Sequence, residues 1–318
     1  MRGSGLDFEK PILELERKIE ELKKFTSSEK IDLKSEIKKL EDKLEDAKRG
    51  IFQNLTPWQK VQISRHPKRP YTLDYIKAIM TDFTELHGDR SFADDQAIVC
   101  GLAKLNSFKI LVIGHQKGRD IKENLKRNFG SANPEGYRKA IRLMKLAEKF
   151  NVPICCFIDT PGAYPGVGAE ERGQAEAIAY NLCEMAQIAV PIVVIVIGEG
   201  GSGGALGIGI GDKVCVMENA YYSVISPEGC AAILWKDRAK APEAAEVLKL
   251  TGPELLKMGI IDEVIKEPLG GAHRSPEEAA ENIKLSLLRN FKELLTLDKK
   301  DMLAKRYDKF RKMGIFNE

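Results

Sequence analysis

Four short apolar runs, at residues 154–159, 192–197, 214–217 and 260–265, are separated by stretches whose apolar residues recur at helical spacing. Strand-length runs alternating with helical patterns are the mark of an α/β fold. The spacing predicts helices over 134–150, 173–188, 227–235 and 242–250. Pro134, Pro227 and Pro242 fall in their first turns, where the missing amide hydrogen would have had no partner anyway. Two more helices close the chain. Upstream, apolar runs at 97–105 and 108–114 flank Asn106-Ser107 and read as a hairpin. A helix is predicted before them, over 73–86, with Gly88 as its left-handed C-cap.

Near the N-terminus, Ile12, Leu15, Ile19 and Leu22, then Leu33, Ile37, Leu40 and Leu44, form two apolar stripes amid Lys and Glu. They predict an antiparallel helical hairpin over 6–50, with Thr26-Ser27-Ser28-Glu29 as a capping box opening its second helix. The hairpin is either a solvated charged arm or a surface that packs on another subunit. Pro57, Pro67 and Pro70 make 51–72 read as a linker, and 73–318 as the main domain. Met1-Arg2-Gly3-Ser4-Gly5 reads as an expression scar.

With 318 residues, 43% of them apolar, the chain can bury one large core. A net charge of +3, built from 31% charged residues of both signs, demands neither nucleic acid nor a membrane surface. No leader-like segment occurs, and no apolar run approaches the roughly 20 residues of a bilayer span, so a soluble cytoplasmic protein is expected. The six cysteines (100, 155, 156, 183, 215, 230) lack C-x-x-C spacing. Neither disulfides nor a zinc site is expected on this chain.

The chemistry points to glycine. Gly198-Glu199-Gly200-Gly201-Ser202-Gly203-Gly204-Ala205-Leu206-Gly207 directly follows a strand-like run. Bare amides there can approach an anion or a developing oxyanion closely, although a tight packing corner would use the same residues. Gly198-x-Gly200-x-x-Gly203, with Glu218 twenty positions on, also matches a dinucleotide fingerprint. That match is weakened by Gly204, Gly207, Gly209 and Gly211 in the intended helix, each costing about 1 kcal/mol against Ala. Gly200-x-Ser202-x-Gly204, with Asp262 and His273 downstream, spells a hydrolase elbow, but no second oxyanion motif precedes it.

A second loop, Asp159-Thr160-Pro161-Gly162-Ala163-Tyr164-Pro165-Gly166-Val167-Gly168, follows another strand-like run. Ligands gather at the carboxyl ends of α/β strands, so one amide from each loop would make an oxyanion hole. Arg172, just beyond, either grips a carboxylate with two parallel hydrogen bonds or pairs with Glu170, Glu171 or Glu176.

Five motifs in order, Leu86-His87-Gly88-Asp89-Arg90, Pro134-Glu135-Gly136-Tyr137-Arg138-Lys139-Ala140, residues 159–166, residues 197–206 and Ser223-Val224-Ile225-Ser226-Pro227-Glu228-Gly229, resemble the alpha subunits of bacterial acetyl-CoA carboxylase carboxyltransferase. The resemblance implies a crotonase-like spiral of ββα units. Gly162 and Ala163 of one loop, and Gly203 and Gly204 of the other, would occupy the oxyanion positions, with Arg172 binding substrate. It further implies carboxybiotin presented by a biotin carboxyl carrier protein, acetyl-CoA as acceptor, malonyl-CoA as product, a biotin carboxylase, and a zinc-bearing beta subunit in an alpha2beta2 assembly. ATP binding is carried over with the carboxylase as a whole. A nicotinamide-dependent dehydrogenase and a non-catalytic scaffold are the competing readings.

Overall fold

The structure, a computed structural model, describes residues 5–29 and 33–314. Helices α1 (Lys10–Glu29) and α2 (Lys34–Phe52) form the expected antiparallel hairpin, linked by the ion pairs Lys23–Glu41 and Lys48–Glu16. The side chains of Ser27, Ser28 and Glu29, on which the expected capping box depends, lie outside the described residues. α1 runs through to Glu29, and the Thr26 hydroxyl donates back to the Leu22 carbonyl at 2.8 Å, as hydroxyls inside helices do. The base of the hairpin is docked on its own chain: Ile12 is fully buried, and the Glu9 carboxylate bonds His273 and Arg274.

Residues 51–72 are not a linker. Pro57 opens α3 (Pro57–Ser64) at its first turn, and Thr56 and Gln59 cap it reciprocally at 3.2 and 2.8 Å. Val61 and Ile63 are fully buried. The helix expected over 73–86 is also divided. α4 (Thr72–Ile79) ends where Met80 turns extended, and β1 (Thr81–Glu85) follows, consistent with strand-favouring Thr81, Phe83 and Thr84. Gly88 has a left-handed φ of 76°, but beyond a strand rather than a helix.

β2 (Ile98–Leu105) and β3 (Phe108–His115) form the expected hairpin about Asn106, whose φ is 51°. Next come α5 (Ile121–Lys126), α6 (Pro134–Lys149), β4 (Ile154–Thr160), α7 (Val167–Glu171), α8 (Gln174–Gln187), β5 (Ile192–Gly201) and α9 (Ser202–Leu206). The chain continues through β6 (Lys213–Met217), β7 (Tyr221–Ser223), α10 (Pro227–Trp235), α11 (Ala241–Val247), α12 (Gly252–Lys257) and β8 (Glu263–Ile265). α13 (Pro276–Leu294) and α14 (Lys299–Arg311) close it.

The sheet order is β1-β2-β3-β4-β5-β6-β8, antiparallel through β3 and parallel from β3 onward. β4 and β5 are buried along their whole length, which explains their unbroken apolar character. β5 is the pivot. Residues 193–196 pair with β6, while Glu199–Gly201 leave that neighbour and pair with β7. Two fully buried arginines anchor distant segments: Arg69 pairs with Glu267, and Arg306 pairs with Asp212 while donating to the carbonyls of Met185, Ile188 and Val190.

Candidate active site

β4 and β5 run side by side, and the two glycine loops leave their adjacent carboxyl ends. There the register slips: Ile158 faces Val196 and Thr160 faces Gly200, so two residues of β4 span four of β5. The loops then meet through bare backbone. A Cβ on Gly201 would stand 2.3 Å from the Pro161 carbonyl oxygen, and one on Gly204 would stand 2.4 Å from the Ala163 nitrogen.

The free donors sit at this contact. The amides of Gly203 and Gly204 in the first turn of α9 have no intrahelical acceptor, and the N-cap Gly201 has no side chain to offer one. Among the described residues no hydrogen bond claims the Ala163 amide. The Gly162 amide is committed: it donates to the Thr160 hydroxyl at 3.1 Å, while that hydroxyl donates to the Gly162 carbonyl at 2.8 Å. Gly162 itself has a φ of 152° and its amide is not available as a donor. The Tyr164 amide donates to the Ala132 carbonyl at 3.0 Å, and the Gln174 side chain bridges the Ala132 and Tyr164 carbonyls.

The competing motifs do not assemble. Gly198 and Gly200 lie inside β5 rather than in a phosphate-binding turn, and Glu218 is engaged by Lys266 and the Glu267 amide. Ser202 does occupy a strained strand-to-helix turn, with φ 53°, as a nucleophile elbow would. But Asp262 binds the Val214 amide and Lys309, and His273 binds Glu9, so no triad forms.

Arg172 pairs with none of Glu170, Glu171 or Glu176. Its Nε and Nη2 engage the buried Glu135, and its guanidinium lies 4.7 Å from the Phe92 ring centroid. Much of the two-pronged geometry expected for a substrate carboxylate is thus spent within the chain.

Composition and spacing gave no warning of a buried charge network beneath the loops. Lys117 Nζ donates to Asp159 Oδ1 at 2.6 Å and to Glu199 Oε2 at 2.7 Å, and Arg65 donates to Glu199 Oε1 at 2.7 Å. Tyr221 donates to Glu199 as well, and Arg65 continues to Glu228. Burial pushes the Glu199 pKa upward, but Lys117 and Arg65 overcome it and hold the carboxyl down at about 2. The available signal was a charged residue at each of three strand ends. Nearby, burial and then the Lys117 charge push the fully buried His115 down to about 3, leaving it neutral.

Glu9, His66 and His273 bring potential metal-ligating atoms within 4.8 Å of one another. Arg274, however, donates at 3.1 Å to the same Glu9 oxygen that His273 bonds, placing a cation where a metal would need the carboxylate. An apolar groove of about 490 Å³ opens beside Gly203, lined by Leu206, Ile210, Tyr222, Val224, Met258 and Phe310 among others. Among the described residues no helix is long and apolar enough to cross a membrane.

This sheet with its paired loops has the crotonase-like architecture of acyl-CoA carboxyltransferases. Transcarboxylase 12S, solved with methylmalonyl-CoA and methylmalonic acid bound, aligns over 70% of this chain and 42% of its own, with TM-score 0.56 and 21% identity. The beta subunit of Pseudomonas aeruginosa geranyl-CoA carboxylase aligns over 83% and 48%, with TM-score 0.54 and 16% identity. At the sequence level, the family model described as acetyl co-enzyme A carboxylase carboxyltransferase-like matches residues 5–314. The acetyl-CoA carboxylase carboxyl transferase subunit alpha of Geobacter metallireducens is 59% identical over 98% of both chains. That of Geobacillus kaustophilus is 59% identical over 97% of this chain and 95% of its own. The chain belongs to the acetyl-CoA carboxylase carboxyltransferase family, on its alpha-subunit branch. The expectation of ATP binding has no support in these relatives, which are named for carboxyl transfer.

Proposed function

We propose that this chain, together with a beta-type subunit, transfers carboxylate from carboxybiotin on a carrier protein to acetyl-CoA, giving malonyl-CoA. Its own contribution is the set of amides at Ala163, Gly203 and Gly204. One observation carries this reading: two bare backbones touch at residues 163 and 204, beside the Ala163 amide, which no described bond claims, and the Gly203 and Gly204 amides, which have no intrahelical acceptor. Carboxybiotin supplies the carboxylate, and its ureido oxygen gains negative charge as that group departs. Preorganised amides meeting such an oxygen stabilise the charge without reorganising, each worth about 3 to 4 kcal/mol of barrier.

The side chains of this chain then have supporting tasks. Gly162 turns the loop and occupies the Thr160 hydroxyl, leaving the next amide free. Arg172 braces the loop's far end against Glu135 and leaves its remaining donors for an anionic substrate group. The groove beside Gly203 suits an aliphatic arm leading to the reacting group. The thioester oxygen of acetyl-CoA is a second site of developing charge, and its donors belong to the beta subunit. That subunit carries the zinc, completes an alpha2beta2 assembly and works with a carrier protein recharged by a biotin carboxylase.

The test is reconstitution. The purified chain should be nearly inactive in decarboxylating malonyl-CoA with biocytin as acceptor, and adding the beta subunit should restore the reaction. An isolated chain running at the rate of the complex would overturn the division of the site.

A further inference from the structure

We infer that Lys117 is a positioning residue for carboxyl transfer: it sets the gap between the two amide-bearing loops by cross-linking the carboxylates at the ends of their strands. This rests on the amide reading above and assigns control of that site to a side chain that touches no substrate. Lys117 lies two residues beyond β3, with its side chain 12% exposed, and reaches Asp159 at 2.6 Å and Glu199 at 2.7 Å. Asp159 stands four residues before Ala163, and Glu199 four before Gly203. One ammonium thus holds both loops at the same sequence separation from their donors.

The cross-link coincides with the register slip. Between the pairs Ile158–Val196 and Thr160–Gly200 the ladder is irregular, and Asp159 Oδ1 accepts the Glu199 amide at 2.9 Å where a regular backbone partner is missing. The oxygen that repairs the slip is the one Lys117 binds. Arg65 and Tyr221 hold the other oxygen of Glu199, so Lys117 is the cation that the Asp159 and Glu199 carboxylates share. Without it, the Asp159 and Glu199 carboxylates at the two strand ends would lose the cation that ties them together. Misplacement of reacting groups by about 1 Å costs on the order of a hundredfold in rate.

The experiment uses the complex with the beta subunit. Lys117→Met takes the cation from Asp159 and leaves Glu199 to Arg65 alone, so it is paired with the near-isosteric triple variant Lys117→Met/Asp159→Asn/Glu199→Gln. Assembly, thermal melting, kcat and KM for malonyl-CoA with biocytin are measured for both. The expected result is a triple variant that assembles and melts near the parent. Its kcat should fall roughly 10- to 100-fold while KM stays within about twofold. Parent-like kcat would overturn the inference. Failure of the triple variant to assemble would overturn it too, because the network would then hold the fold rather than the gap. Gly203→Ala in the same complex separates the two readings. Normal turnover in that variant sinks the amide assignment itself, whereas lost turnover there beside a normal triple variant sinks only the role of Lys117.

Discussion

Gly204 rests against the Ala163 amide so closely that a methyl group at residue 204 would stand 2.4 Å from the Ala163 nitrogen, with the Gly162 carbonyl carbon at 2.5 Å. Neither atom belongs to a side chain that can swing away. The two loops are therefore fitted backbone to backbone.

Neighbouring glycines in this contact should behave differently. Gly204→Ala or Gly204→Val should push the loops apart, lowering both thermal stability and turnover, so a helix-start position does not tolerate the side chain. At Gly203 the nearest atom to a new Cβ is Ile178 Cδ1, at 3.7 Å. Gly203→Ala should fold and assemble normally yet lose at least about tenfold in turnover by crowding the free amides. Melting and steady-state kinetics of the two variants, measured side by side with the beta subunit, decide this; equal losses of stability would contradict it.

Arg172→Lys should lower stability as well as turnover, because an ammonium cannot span both oxygens of Glu135 and the buried carboxylate loses part of its grip. Glu135→Gln should act in the same direction. If Arg172→Lys abolished turnover while Glu135→Gln left it untouched, the arginine would instead be acting on substrate.

The hairpin's docking makes its removal a matter of folding as well as assembly. Deleting 6–50 strips Glu9 from His273 and Arg274 and removes the buried Ile12, so the remaining chain should melt lower and also associate less well with the beta subunit. Since Arg274 occupies the Glu9 carboxylate, the purified intact chain should hold no stoichiometric zinc. Elemental analysis finding one zinc per chain, or an unshifted melt after truncation, would refute this account.

Acid should unlock the network from Glu199. Folding lowers its pKa from 4.5 to about 2, so within that window the unfolded chain binds the extra proton. Its stabilising contribution, on the order of a few kcal/mol, is complete above about pH 4.5 and lost as pH falls toward 2. Denaturant melts of the parent should steepen through that window relative to Glu199→Gln, even though the variant starts less stable. Parallel curves would show that Glu199 is not depressed.

Local pattern carried much of this protein. The apolar runs that became β4, β5 and β6, the prolines opening α6 and α10, and the hairpin about Asn106 were legible because each follows from neighbouring residues obeying one period. Gly162, Ala163, Gly203 and Gly204 were legible as bare backbone after strands. Which amide stays free was not, because the Thr160 hydroxyl decides that through its own rotamer. α3 was missed because a proline reads as a breaker until a Thr–Gln capping pair is seen around it. β1 was missed because its first residues continue a helical spacing from α4. The partners of Lys117, Arg172 and Glu9 lie 42, 37 and 264 residues away. Only the tertiary fold could choose them, since the energy of a buried charge depends on which opposite charge the packed chain brings beside it, and no local period encodes that.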